Sequence, residues 1–211
     1  MSLGNGNPKE GDKGSNFNYE LKVLQGLEAI AISLENQPAS TNYGLFAQTV
    51  SSTPVAGTIS ELSLIGTGLG TLTVPANGFK VGDSFHAALA GHMSSANNQT
   101  LRLRVKANGT LLADTGVITN VPTITNRHWN LDINFTIRAI GIAGTASIAS
   151  AGLFTYSKNA SNAFEGADFS IINNTTFATT ISNTLEITAQ WGSTNATNSM
   201  YSEIFTLYKT F

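Results

Sequence analysis

The three histidines are the side chains in this sequence best suited to acid–base chemistry or metal binding. His86 and His92 lie six residues apart around one predicted strand, and His128 lies near the start of another. An even spacing puts His86 and His92 on one face of a strand, where Asp83 could add a carboxylate ligand for Zn²⁺. The spacing matches no standard zinc motif, so we interpret all three as surface or hydrogen-bonded histidines. We predict no metal and no cofactor.

Paired carboxylates and nucleophile motifs, the other common catalytic signatures, are sparse. Glu165 and Asp168 are close enough in sequence to form the acid–base pair of a glycosidase, but segment 159–168 has the composition of a solvated loop. No G-x-S-x-G, H-E-x-x-H or P-loop motif occurs. The glycine-rich run 66–70 leads into Val-Pro at 74–75 and predicts a strand bend rather than a phosphate-binding turn. We therefore predict that the protein is not an enzyme.

Composition narrows the classes of partner. The 211 residues carry a net charge of −2, and 11% of them are charged, against roughly 25% in an average soluble domain. Arg102, Arg104 and Lys106 form the only basic cluster, at alternate positions of one strand. They predict a solvated or inter-subunit stripe rather than a nucleic-acid site.

The sequence has no cysteine, which excludes disulfides and thiolate sites. Neither a signal peptide nor an 18-residue apolar run is found, so we predict synthesis in a cytoplasm without membrane insertion.

The first 37 residues predict an arm followed by a helix. Residues 1–16 are rich in Gly, Asn and charge, and we interpret them as a flexible anchoring arm. Apolar residues then recur at heptad-like spacing through 17–37, which predicts a helix that oligomerises as a short parallel bundle, most simply a trimer. The predicted contact positions are Phe17, Leu24, Leu27, Ile30, Ala31 and Leu34. Gly26 weakens this helix, so it needs a partner. The alternative is a helix packed on its own β-domain.

Residues 38–211 predict an all-β domain, because apolar and polar residues alternate along many short segments. The clearest is Leu101, Leu103 and Val105 against the three cations, followed by the type I′ hairpin signal Asn108-Gly109. Such strands predict an antiparallel β-sandwich, jelly-roll or TNF-like, with a closed barrel as the alternative. The predicted strands are 43–50, 58–64, 70–74, 84–90, 100–107, 110–114, 129–139, 145–156, 169–172, 184–190 and 203–208.

Several stretches resemble structural proteins of tailed bacteriophages, including those of crAss-like and related phages of Bacteroidetes. The resemblance begins in residues 4–25, GNGNPKEGDKGSNFNYELKVLQ. In the β-region it is carried by GTLTVPAN at 70–77, KVGDSF at 80–85, LRLRV at 101–105, LADTG at 112–116, WNL at 129–131 and LEITAQWG at 185–192. The resemblance spans most of the chain but contains no catalytic motif, so it implies no catalytic residues.

The resemblance implies a virion structural protein: a trimeric head fibre, tail appendage or decoration protein made in the host cytoplasm. We expect a homotrimer whose arm binds other virion proteins and whose β-domain faces outward. A host cell-surface glycan is the expected ligand, because three linked copies multiply weak contacts. One alternative is a soluble lectin-like or TNF/C1q-like trimeric binding module. Another is a glycan-degrading appendage enzyme using carboxylates such as Asp114, Asp132, Glu165 or Asp168.

Overall fold

The computed structural model of the chain describes residues 22–28, 46–159 and 163–211. The chain divides into two units, Met1–Thr41 and Asn42–Phe211. In the first unit, residues 22–28 form a helix, α1, whose seven residues are all exposed. Within the described ranges, no helix is both long and apolar enough to cross a membrane.

The second unit consists of fourteen β-strands within its described residues. They are β1 (Phe46–Gln48), β2 (Val55–Ala56), β3 (Leu62–Ser63), β4 (Gly68–Gly70), β5 (Thr73–Val74), β6 (Ser84–Ser95), β7 (Gln99–Ala107), β8 (Thr110–Asp114), β9 (Ile118–Val121), β10 (Ile124–Ala139), β11 (Ser147–Ser157), β12 (Phe164–Asn174), β13 (Asn183–Trp191) and β14 (Ser199–Lys209). This content confirms the predicted all-β class.

The strands form two antiparallel sheets. The larger has eight strands in the order β12-β11-β10-β6-β14-β1-β4, with β2 pairing β14. The smaller has six, in the order β3-β13-β7-β8, with β5 beside β13 and β9 beside β7. Apolar residues of both sheets belong to one buried cluster, so the unit is a β-sandwich and the alternative of a closed barrel is wrong.

Eight of the strands follow the connectivity of a jelly roll. If β1, β3, β6, β7, β8, β10, β13 and β14 are counted from one to eight, the larger sheet contains the order 1-8-3-6 and the smaller the order 2-7-4-5. The hairpin of β11 and β12 is inserted between the sixth and seventh of these strands. It extends the larger sheet beyond β10.

Local sequence accounts well for the hairpin of β7 and β8. Leu101, Leu103 and Val105 are buried while the residues between them are not, as the alternation predicts. Asn108 and Gly109 connect the strands with φ values of 47° and 79°. Positive φ at both positions is what a type I′ turn requires, so the predicted hairpin is confirmed.

Two tryptophans are completely enclosed in the core and hold distant segments together. Trp191 on β13 donates its indole N–H to the Val55 carbonyl at 2.9 Å. Trp129 on β10 shares its N–H between the carbonyls of His92 and Tyr201, both at 3.1 Å. Because each indole combines a large apolar ring with a satisfied N–H group, both are favourable core residues.

Three sequence predictions about the β-region differ from the structure. Segment 159–168 was predicted to be a loop, but β12 begins at Phe164 and continues to Asn174. Segment 66–70 was predicted to be a bend, but Gly68–Gly70 is an edge strand paired with β1. The short strands β2 and β9 were not predicted at all. In each case the strand is defined by hydrogen-bonded pairing with a partner strand, β12 with β11, β4 with β1, β2 with β14 and β9 with β7, and not by a regular alternation within the segment.

Gly91 is required where two backbones approach closely. A Cβ atom at this position would lie 2.0 Å from the Tyr201 carbonyl oxygen on the neighbouring strand. We expect Gly91→Ala to destabilise the protein by about 3 kcal/mol, because the backbone of a central strand pair must move. The change in the free energy of unfolding is measured by urea denaturation. Ala88→Ser, on the outer side of the same strand, is the control and should change stability by less than about 0.5 kcal/mol. Equal stability of both variants would contradict the close packing.

Candidate functional site

All three histidines project from the outer face of the larger sheet. His86 and His92 lie on β6, where their neighbours in the strand point into the core. His128 lies on β10 directly opposite His92. The strand register therefore unites residues that the sequence separates by 36 positions and confirms that His86 and His92 share one face.

His92, His128, Tyr201 and Glu203 form a group that we call the histidine cluster. His92 Nδ1 lies 2.8 Å from Glu203 Oε2, and its ring centroid lies 6.1 Å from that of His128. The Tyr201 ring is 6.2 Å from His92 on the other side. His128 Nε2 lies 3.0 Å from Asn130 Oδ1. The cluster is polar and partly exposed, so solutes can reach it.

A β-bulge directs Glu203 toward His92. The pairing of β14 with β6 shifts by one residue between Ser202 and Ile204, so Glu203 is the additional residue. Bulges commonly change the direction of a side chain near functional sites. Gly91 lies opposite this bulge, and the N–H of Trp129 binds the carbonyls of two cluster residues from the core side. The backbone beneath the cluster is therefore held firmly in place.

His86 is set apart from the histidine cluster by its own partners. Its Nε2 lies 2.6 Å from Asp132 Oδ2, and its ring packs edge-on against Tyr208 with centroids 4.9 Å apart. Its Nδ1 is shielded from solvent and has no hydrogen-bond partner. This arrangement confirms a hydrogen-bonded surface histidine. Within the described part of the chain, no group of three or more His, Asp or Glu residues converges as a metal site.

On both sides of β10, which itself presents Asn130, Asp132 and Asn134, small and apolar side chains lie on the outer face of the larger sheet. We call this region the contact face, and its residues are Ala47, Leu69, Ala88, Ala90, Leu153, Ile204 and Thr206. Leu69, Leu153 and Ile204 are 72%, 51% and 60% exposed. Directly opposed residues form a line across six strands in the order Leu153, Asp132, Ala88, Thr206, Ala47 and Leu69, so the Asp132 carboxylate interrupts it. The apolar part, from Ala88 to Leu69 with Ala90 and Ile204 beside it, is suited to contact with another protein surface.

The outer face of the smaller sheet is charged and internally paired. Arg102 binds Asp114 through Nε, 2.9 Å from Oδ1, and through a terminal nitrogen. Arg104 Nη1 lies 2.7 Å from Glu61 Oε2, and Lys106 binds the other oxygen of that carboxylate. The three cations predicted to form a solvated or inter-subunit stripe are instead neutralised largely within the chain.

The ion pairs shift the pKa values of both carboxylates downward. Hydrogen bonds from Arg102 hold the pKa of Asp114 below its ordinary value, against the opposing effect of burial. For Glu61, burial favours the neutral form, but hydrogen bonds from Lys106 and Thr188 together with the charge of Arg104 outweigh it and lower the pKa. Both carboxylates therefore stabilise the fold in their ionised form.

Of the carboxylates considered for glycan hydrolysis, Asp132 and Asp168 lie on one face of the larger sheet with Leu153 between them. Glu165 on β12 accepts a hydrogen bond from the Tyr156 hydroxyl on β11. The pKa of Glu165 is lowered mainly by a hydrogen bond from Lys158. Asp168 is opposite Leu153, and its odd separation from Glu165 puts the two carboxylates on opposite faces of the strand. Asp114 is held on the other sheet by Arg102. Tyr156 is buried, which together with the Glu165 hydrogen bond raises the pKa of its phenol.

Two cavities lie away from the histidine cluster. An apolar space of about 50 Å³ is lined by residues such as Phe79, Leu112 and Phe177, and it is too small for an organic ligand. A shallow pocket of about 280 Å³ lies on the smaller sheet between Ile59 and Val117, with Arg102 in its wall. The Nε atom and one terminal nitrogen of that guanidinium bind Asp114.

Two of the six predicted oligomerisation positions fall within described residues. Leu24 and Leu27 lie on α1 and are 56% and 57% exposed. Exposure leaves both side chains free for a partner, and the oligomeric role stays a prediction. Phe17, Ile30, Ala31 and Leu34 lie outside the described residues, as does the arm 1–16.

The charged network predicts a dependence of stability on pH. Because the pKa of Asp114 is lowered by folding, its contribution is complete above its unfolded value of about 3.9 and is lost as pH falls through the lowered value. We expect Asp114→Asn to cost about 2 kcal/mol at neutral pH and to flatten the loss of stability below about pH 5, measured by urea unfolding. Asp168→Asn, on an exposed carboxylate without an ion pair among described residues, is the control. Identical pH profiles for the two variants would contradict the role of the network.

Comparison with known proteins assigns no family to this chain. No family model matches it, and no curated protein sequence or solved structure is significantly similar. Functional inference therefore depends on the two sheet faces, the histidine cluster and the residue patterns described above.

Proposed function

We propose that the protein is a non-enzymatic structural protein of a phage virion, in which three copies associate through the contact face of the larger sheet. The observation that supports this most directly is the difference between the two outer faces. The three cations Arg102, Arg104 and Lys106 of the smaller sheet are paired within the chain, whereas the contact face exposes Leu69, Leu153 and Ile204. Covering such a strip releases water from apolar surface, which favours association.

The size and flatness of the contact face support contact between copies rather than binding of a small molecule. From β11 to β4 this face crosses six neighbouring strands, which at about 4.8 Å spacing make it about 24 Å wide, a dimension suited to a protein interface. The small side chains Ala47, Ala88 and Ala90 allow another backbone or side chain to approach closely. The two cavities described above lie away from this face.

In this proposal the N-terminal arm attaches the trimer to the particle, and the β-domain faces outward for decoration or for adhesion to host cell-surface glycan. The virion assignment rests on the resemblance of residues 4–25 and of the β-region motifs to phage structural proteins. The exposed Leu24 and Leu27 of α1 are compatible with a bundle that supplements the contact face.

The contact face can be tested by the mass of the full chain in solution. We expect light scattering to give about three times 22.2 kDa. Ile204→Glu should shift the protein toward the monomer, because it places an unpaired charge in an apolar interface. The matched control is Val117→Glu, since Val117 is 59% exposed on the other sheet, and this variant should remain trimeric. A monomeric wild-type chain would contradict the proposal.

The anchoring role of the arm is tested separately from trimer formation. Deletion of residues 1–16 should leave the solution mass trimeric but abolish incorporation into virus particles, because the deleted segment carries the proposed attachment site. Particle incorporation is measured by mass spectrometry of purified particles. Normal incorporation of the truncated chain would show that another segment attaches the protein.

The two alternative functions have their own discriminating observations. A soluble lectin-like or TNF/C1q-like module would bind a sugar or protein partner without any particle, and the jelly-roll connectivity suits it equally. A glycan-degrading appendage would hydrolyse bacterial surface glycan as purified protein and lose that activity in Glu165→Gln or Asp168→Asn. The separation of these two carboxylates onto opposite strand faces favours the non-enzymatic proposal.

A further inference from the structure

The histidine cluster contains two imidazoles whose protons are positioned by neighbouring acceptors. The Glu203 carboxylate accepts a hydrogen bond from His92 Nδ1, and the side-chain oxygen of Asn130 accepts one from His128 Nε2. A carboxylate or amide oxygen cannot donate, so each contacted nitrogen carries the proton of the neutral ring. The lone pairs then lie on His92 Nε2 and His128 Nδ1. No described residue forms a hydrogen bond with either of these atoms.

We propose that His92 and His128 together bind one divalent transition-metal ion, of the class that includes Zn²⁺, Ni²⁺ and Cu²⁺. Imidazole nitrogen is a preferred ligand of these ions. Water fills the remaining coordination positions, because the described residues supply two ligands and no third. Both ligands come from one chain, so the site is complete without a residue from a second copy.

The distance between the rings is close to what shared coordination requires. With metal–nitrogen bonds of about 2.0 Å and tetrahedral angles, two ligating imidazoles have centroids about 5 Å apart. The centroids of His92 and His128 are 6.1 Å apart on directly opposed residues. Side-chain rotations that bring the two ring centroids about 1 Å closer are sufficient. Both rings lie on the outer face of the sheet, so the core does not confine them.

The surroundings of His92 match the arrangement that orients metal-binding histidines. Such histidines donate their second ring N–H to a carboxylate, which fixes the ring and raises its basicity. Glu203 occupies this position at His92 because the bulge in β14 directs it there. Trp129 fixes the backbone of His92 from below. Preorganisation of this kind lowers the cost of ordering the ligands on binding.

His86 provides a natural control because its geometry does not permit metal binding. Its Nε2 contacts Asp132, and its remaining nitrogen, Nδ1, is shielded from solvent. Its nearest ring neighbour is Tyr208 rather than another histidine. The same sheet face thus offers one pair of available imidazoles and one unavailable imidazole.

The test is isothermal titration of the untagged full chain with Zn²⁺. We expect one ion per chain and a loss of affinity of at least about tenfold in both His92→Gln and His128→Gln, because each removes a ligand. Glu203→Gln should weaken binding by about tenfold, since the ring of His92 loses its orienting carboxylate. His86→Gln should bind as the wild type does.

A second measurement is independent of binding heat. Zn²⁺ should raise the thermal unfolding temperature of the wild type and of His86→Gln, but not of the other two histidine variants, because binding to the native state stabilises it. Circular dichroism of each variant confirms that it is folded. The proposal would be overturned by unchanged affinity in His92→Gln and His128→Gln, or by the absence of both binding heat and a temperature shift at millimolar Zn²⁺.

Discussion

Burial of alternate side chains between the two sheets is the constraint on which the rest of the structure depends. A shift of one residue in β6 or β10 would move the apolar set to solvent, so the core sets the register of these strands. The same register determines which residues point outward. Trp129 and Trp191 strengthen it, because each indole must find a buried carbonyl acceptor at one particular position. The histidine cluster and the contact face are consequences of this packing.

The outer faces of the two sheets differ in the side chains that they expose to solvent. On the smaller sheet, two carboxylates bind three cations at short range, and the lowered pKa values of Glu61 and Asp114 show that the ionised pairs are favourable. On the larger sheet, alanines and exposed aliphatic side chains lie beside two carboxylates, Asp132 and Glu203, each of which contacts a histidine. A charged face interacts well with water, whereas an apolar strip is best stabilised by another surface. This asymmetry gives the β-domain one side suited to association and one suited to solvent.

The chemistry-bearing residues lie at irregularities of the larger sheet. Glu203 reaches His92 because β14 contains a bulge, and Gly91 permits the close approach of the bulged strand. Both features weaken regular pairing locally, and the two hydrogen bonds of Trp129 compensate beneath them. Functional groups in other sheets are also found where a bulge changes the direction of side chains. The rigid core below the cluster limits its conformational freedom, which favours specific recognition over loose contact.

Local sequence determined the all-β class, the hairpin of β7 and β8, and the shared face of His86 and His92. These features depend on alternation of period two and on turn residues, which act over a few positions. Tertiary structure alone decided that Glu61 binds Arg104, that Glu203 binds His92, and that β12 is a strand. The partners of these contacts are separated by 43 and 111 residues, or belong to a segment without alternation. Pairing of distant strands selects such contacts, because their free energy comes from packing and hydrogen bonds that no short stretch of sequence contains.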